Sequence, residues 1–242
     1  MPARPDGRSA DALRPLRFTR GFLQKVPAST LIEMGGTRVL CTATMVDGVP
    51  PFLIGKKRGW LTAEYSMLPA STPQRKARDR SGKIDGRSTE IQRLVGRALR
   101  AVVDLSGISE RTIWIDCDVL EADGGTRTAS INGAWVALHD VLRLFDAERG
   151  TKNLARLKPL AAVSVGIVGG EPRLDLCYAE DSEADADMNL VMTSPEEFLE
   201  LQGGGEKAPF GPSALARLVE LGQGGVRTIL AAQREALGLP RS

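Results

Sequence analysis

Apolar and polar residues alternate over residues 30–34 (Thr-Leu-Ile-Glu-Met) and 38–45 (Arg-Val-Leu-Cys-Thr-Ala-Thr-Met), on either side of Gly35-Gly36. Two such runs across a glycine pair predict a β-hairpin. Alternation extends over residues 16–46, and residues 49–53 and 59–68 keep the β character, so the amino-terminal part reads as a sheet of several short strands. The period then changes. Ile91, Leu94, Val95, Ala98, Leu99 and Val102 share one face of a helix predicted over residues 88–105. Residues 112–120 form an apolar, β-rich run, after which Ile131, Ala134, Trp135, Leu138 and Leu142 recur at helical spacing. This predicts a strand, a glycine turn and a helix from residue 128 to about 148.

A polar connection at residues 149–159 marks a weak boundary between two similar halves. Beyond it, strands at 161–168 and 172–178 flank Gly169-Gly170, a further strand begins at Met188, and a helix spans 212–237, with Leu215, Leu218, Val219, Val226 and Ile229 on its apolar side. Strands precede a helix in each half, an α+β pattern with helices packed on sheets, expected as one domain over residues 1–242.

Composition narrows the classes. The 242 residues are 42% apolar, enough for a sizeable core, and a net charge of +2 implies no polyanion partner by itself. There is no run of 18 apolar residues and no signal-peptide core at the start, so a cytoplasmic protein without a membrane partner is expected. Cys41, Cys117 and Cys177 lie far apart in strand-like runs and read as small core residues. His139, in mid-helix, reads as structural. No Ser or Cys has a recognisable partner base, so a protein nucleophile has little support.

The charge is nevertheless uneven. Between residues 75 and 100 there are nine Lys or Arg against three acids. Residues 69–86, rich in Ser, Thr, Pro and Gly, predict a long, mobile, basic loop whose Arg75, Lys76, Arg78, Arg80 and Lys83 suit the backbone of a nucleic acid. Arg87 opens the following helix, where Arg97 and Arg100 read as its solvated side and Glu90 as paired with Arg93 or with nothing.

Two further stretches carry candidate chemistry. Residues 121–130, Glu-Ala-Asp-Gly-Gly-Thr-Arg-Thr-Ala-Ser, place a glycine turn at the start of a helix. Free amides at the positive end of the helix dipole bind anions, and Arg127 adds a planar fork suited to phosphate oxygens. The same residues also read as a capped helix start, with Asp123 or Thr126 as the cap. Residues 180–187, Glu-Asp-Ser-Glu-Ala-Asp-Ala-Asp, hold five carboxylates and read either as a solvated acidic turn or as ligands for Mg²⁺.

Taken together, Gly86-Arg-Ser-Thr-Glu-Ile-Gln-Arg-Leu-Val, Asp116-Cys-Asp-Val-Leu-Glu-Ala-Asp-Gly-Gly-Thr-Arg-Thr-Ala-Ser-Ile, Ala162-Val-Ser-Val-Gly-Ile-Val and the segment from Glu180-Asp-Ser to Asp187-Met-Asn resemble the bacterial ribonuclease PH family over nearly the full length. The resemblance implies the ribonuclease PH-type fold, two β-sheet-plus-helix halves in one domain, assembled as a homo-hexameric ring, a trimer of dimers. It implies a phosphorolytic 3′ to 5′ exoribonuclease acting on transfer RNA precursors and other RNA 3′ ends, with inorganic phosphate as co-substrate and nucleoside diphosphates as products. Arg87, Gly125, Thr126 and Arg127 match the phosphate-binding positions, and Asp181 and Asp187 the catalytic, metal-associated carboxylates that take Mg²⁺ or Mn²⁺. Arg75, Lys76 and Arg78 are the expected RNA-binding residues. One departure stands out: family members often carry an arginine directly after Met-Leu-Pro, where this chain has Ala70.

Overall fold

The first hairpin closes on the glycine pair. In the computed structural model, which describes residues 4–78 and 85–240, strand β1 (Leu16–Arg20) pairs antiparallel with β2 (Ser29–Met34), and β2 with β3 (Thr37–Asp47). Met34 faces Thr37 across the turn, and Gly35 takes the left-handed φ of 56° that such a turn requires. Arg80 and Lys83, two of the expected loop cations, lie outside the described residues. Strand β4 (Trp60–Met67) leads through helix α1 (Gly86–Val102) to the parallel strand β5 (Arg111–Glu121), giving a five-stranded sheet of order β1-β2-β3-β5-β4.

Helix α2 (Thr126–Arg149) follows, buried at nearly every position from Thr126 to Leu142. That continuous burial has a cause in the topology, because α2 lies between β2 and β3 of the first sheet and β6 (Ala161–Val168) of the second. The second sheet is antiparallel, with β6 flanked by β7 (Glu171–Leu174) and β8 (Ala186–Ser194), and β9 (Glu197–Gly205) at the far edge. The short helix α3 (Tyr178–Asp181) joins β7 to β8, and α4 (Pro212–Ala236) packs on β6, β7 and β1. One hydrophobic cluster runs from Ile32 and Val39 through Ile131 and Leu138 to Val163 and Ile229. The architecture is α+β, two sheets with helices.

Several expectations are corrected. Residues 49–53 are not a strand: Pro51–Leu53 is a 3-10 turn, since two successive prolines lack the N–H groups a ladder needs. The strand expected to reach residue 178 ends at Leu174, because Asp175 turns to a φ of 53°. Glu90 pairs with neither Arg93 nor nothing; it lies 3.4 Å from Arg127 and accepts from Gln202. Arg97 is exposed on the solvated side, where it pairs with Glu200, whereas Arg100 donates to the Leu61 carbonyl and covers the Trp60 ring and so is not simply solvated. All three cysteines are free and buried, as their apolar settings suggested.

Candidate active site

The glycine turn between β5 and α2 is forced by close approach. Gly124 and Gly125 have φ of 77° and 66°, and a Cβ on Gly124 would stand 2.7 Å from the Leu176 carbonyl. Gly125 itself is the cap residue, with no side-chain cap bond, so neither Asp123 nor Thr126 caps the helix. The amides of the first turn, at Thr126, Arg127 and Thr128, therefore have no intrahelical acceptor and point out of the positive end of a 24-residue helix.

The turn is stapled from three directions. Thr37 Oγ1 donates to the Gly124 carbonyl at 2.6 Å and accepts from the Asp123 amide at 2.9 Å. Arg14 donates through Nη1 to the Asp123 carbonyl at 2.5 Å while its other nitrogens grip the buried Asp175. The Tyr178 amide donates to Asp123 Oδ1, which ties α3 to the same turn. Thr126 is buried, and its hydroxyl accepts from Tyr65 at 2.9 Å. Thr126 is thereby positioned by β4.

Arg127 is the exception to this satisfaction. Its side chain is largely withdrawn from solvent, at 17% exposure, yet its Nε has no hydrogen-bond partner among the described residues, and its Nη2 is 3.4 Å from Glu90 Oε1. Arg87 is exposed on the first turn of α1, where its amide bonds the capping Asp85. The positive charges of Arg87 and Arg127 both act on Asp181, and Arg127 also acts on Asp187. The structure thus brings Arg87, Gly125, Thr126, Arg127, Asp181 and Asp187 into one electrostatic neighbourhood.

The acidic stretch divides sharply by role. Glu180 is buried and bidentate with Arg4, with Arg173 as a second partner. Burial would raise its carboxyl, but those arginines and the Cys177 amide hold it below the ordinary value. Asp185 receives the Gly170 amide, and Glu183 pairs with Lys207. Asp181 and Asp187 have no ion pair among the described residues. Desolvation pushes both carboxyls up; Asp181 is opposed by Arg87 and Arg127, whereas Asp187 is driven further by the charges of Asp181 and Glu206. Two desolvated carboxyls, of which Asp181 raises the proton affinity of Asp187, fit a hard divalent cation, which needs only one or two protein carboxylates beside phosphate oxygens and waters.

Those shifts make a prediction about stability. A carboxyl whose value is raised on folding stabilises the folded state only at acid pH, and that contribution is lost as pH rises through the folded value. At neutral pH the charge is a net cost, so Asp187→Asn should raise the thermal midpoint in chelator-treated buffer while turnover is lost. A lower midpoint would contradict the electrostatic account.

Among the expected RNA-binding residues, Arg75 and Arg78 are exposed and make no ion pair with described residues, whereas Lys76 is held 2.7 Å from Asp85. Sequence reasoning missed Arg14, Asp175, Tyr65 and Glu90. Their partners lie tens of residues away, and Asp175 alone carries a local signal, a non-glycine residue at positive φ that only the fold discloses.

Comparison with known proteins places this geometry. Residues 12–143 match the model of the 3′ exoribonuclease family, domain 1, and residues 158–225 that of domain 2. Ribonuclease PH of Corynebacterium kroppenstedtii is 51% identical over 238 residues, 98% of this chain and 94% of that protein. Its Corynebacterium efficiens counterpart is 51% identical over 237 residues, 98% and 97% of the two chains. Among solved structures, a chain of the Archaeoglobus fulgidus exosome with RNA bound to the active site superposes with a TM-score of 0.78 at 23% identity, covering 94% of this chain and 91% of that one. A rice Rrp46 structure gives 0.75 at 19% identity, over 97% and 100%. The chain belongs to the ribonuclease PH family, the phosphorolytic 3′ to 5′ exoribonucleases.

Proposed function

We propose that this exoribonuclease trims the 3′ ends of transfer RNA precursors, with phosphate seated at the amino end of α2 and the RNA terminus beside Asp181 and Asp187. The observation that carries the reading is Arg127, a withdrawn guanidinium with an unpartnered Nε next to three free helix amides. Donors so placed await an anion. Arg87 and Arg127 neutralise the phosphate and hold one oxygen toward the last phosphodiester. A bond forms from that oxygen to the terminal phosphorus as the bond to the 3′ oxygen of the preceding nucleotide breaks. The proton of hydrogen phosphate passes to the departing 3′ oxygen, leaving a shortened RNA and a nucleoside diphosphate. No side chain needs to become a nucleophile.

Asp181 and Asp187 are the residues to hold Mg²⁺, or Mn²⁺, which when bound offsets charge on the scissile phosphate and the leaving oxygen. Arg75 and Arg78 grip the RNA backbone, so cleavage is indifferent to sequence and weakens with salt. The Archaeoglobus fulgidus exosome chain, with RNA bound to the active site, supports an RNA substrate; the assembly we propose is a cytoplasmic homo-hexamer. Ala70 removes one cation from the loop and shifts transfer RNA binding toward Arg75 and Arg78.

The test is a transfer RNA bearing a short 3′ extension, incubated with Mg²⁺, with and without phosphate, and the released nucleotides separated by chromatography. Diphosphates that appear only with phosphate are expected. Monophosphates in both tubes would mean hydrolysis and sink the mechanism, and RNA that binds without being shortened would sink the trimming role.

A further inference from the structure

The chain holds two tyrosines, and the fold treats them oppositely. Tyr65 is buried, its hydroxyl spent on Thr126. Tyr178 is 63% exposed, more than any other aromatic side chain among the described residues, and among them its hydroxyl has no hydrogen-bond partner and its ring no aromatic neighbour. A single exposed ring is ordinary on a protein surface, so its placement has to decide what it does.

The backbone under this ring is fixed to the glycine turn. The Tyr178 amide donates to Asp123 Oδ1 at 3.2 Å and packs so tightly on Gly124 that a Cβ there would stand 2.9 Å from the amide nitrogen. Tyr178 opens α3 and Asp181 ends it, with the Ser182 amide closing the turn on the Tyr178 carbonyl at 3.0 Å. Residues three apart on a helical turn share a face, their Cβ atoms roughly 5–6 Å apart. The ring therefore springs from between the turn proposed to hold phosphate and the first of the candidate metal carboxylates. Asp123 and Asp181 set negative charge beside it, which disfavours a phosphate oxygen against the ring and favours the uncharged part of a nucleotide.

We infer that Tyr178 is the stacking platform for the base of the 3′-terminal nucleotide of the RNA, an inference that rests on the phosphorolytic site proposed above. The terminal nucleotide keeps the phosphorus that phosphate attacks, so its base is the one that stays beside α2 and α3 through the reaction. Every base has a π face, so a tyrosine ring grips an RNA end without reading its sequence, in keeping with cleavage that is indifferent to sequence. The same contact holds the nucleoside diphosphate when the reaction runs in reverse.

The test compares kcat/KM, at saturating phosphate with Mg²⁺, for a single-stranded RNA ending in an ordinary nucleotide and for the same RNA whose terminal ribose lacks its base. Tyr178→Leu keeps the amide and the apolar bulk but has no ring, and it should lower kcat/KM for the ordinary RNA about tenfold, the scale of one lost base–aromatic stack, with KM for phosphate unchanged. Tyr178→Ala, the second ringless variant, should lose as much, whereas Tyr178→Phe and Tyr178→Trp should keep the wild-type value. The abasic end should cost the wild-type protein the same factor and cost Tyr178→Leu nothing further, because both changes delete one contact. An unchanged rate in the ringless variants, a loss that Phe does not rescue, or a full abasic penalty in Tyr178→Leu would each overturn the platform while wild-type phosphorolysis stands. Wild-type protein that releases no diphosphates from the ordinary RNA would overturn the phosphorolytic site, and the platform with it.

Discussion

Arg127→Ala is expected to lower kcat/KM for inorganic phosphate by about 10²–10³-fold, the loss typical when one preorganised donor is removed from an anion site. The fold should survive. The side chain projects from the first turn of α2, and the acid it pairs with among the described residues, Glu90, is half-exposed and 3.4 Å away, so no buried ion pair is broken. Arg127→Lys should recover only part of the loss, because a point charge cannot reproduce a planar fork on two phosphate oxygens. Initial rates at varied phosphate and fixed RNA make the measurement, with RNA affinity as a control expected to change little. Unchanged phosphate dependence would remove Arg127 from the site and leave its unpartnered Nε without a purpose.

The second large effect is on stability. Asp175→Ala should destabilise the protein by about 3–5 kcal/mol, since removing one partner strands a buried charge. Asp175 is fully buried and accepts from the Arg14 amide, Nε and Nη2 at 2.8, 3.0 and 2.7 Å. Burial would depress the Arg14 guanidinium, but Asp175 holds it above its ordinary value. Replacing both partners, as Arg14→Met with Asp175→Leu, should recover part of the stability and little activity, because Arg14 also fastens the Asp123 and Gly124 carbonyls of the glycine turn. Urea denaturation of the single and double variants measures both terms. A single-variant loss below about 1 kcal/mol would show that the clamp is not needed to hold the fold.

What could be read in the sequence was what is local. Gly35-Gly36 and Gly169-Gly170 announce their hairpins because turn chemistry and alternation lie within a dozen residues. The start of α2 was legible within two residues from glycine and helical spacing. Strand β9 was missed because it is an exposed edge whose short apolar alternation, Leu199 and Leu201, is broken up by Glu197, Glu200, Gln202 and three glycines. The division of labour among the acids was equally hidden. Glu180 and Asp181 are neighbours of similar chemistry, and Arg4, 176 residues from Glu180, joins Arg173 to make the first structural while the second has no ion pair among the described residues. The glycine turn likewise reads as an anion site in outline, but the clamp that shapes it spans 161 residues from Arg14 to Asp175.

Helix α2 is enclosed by both sheets from Thr126 to Leu142. Segments of that kind exchange their amide hydrogens only when the whole molecule opens. The amides proposed to meet phosphate are thus anchored to the slowest-opening part of the protein, whereas many anion sites rest on loops that must order around their ligand. Their ordering entropy is settled during folding, so little of the phosphate binding energy is spent on organising the site. On the proposed mechanism, substrate capture and global stability are therefore linked through one helix, and a mutation that loosens its packing far from the candidate site is expected to be felt first as a weaker hold on phosphate.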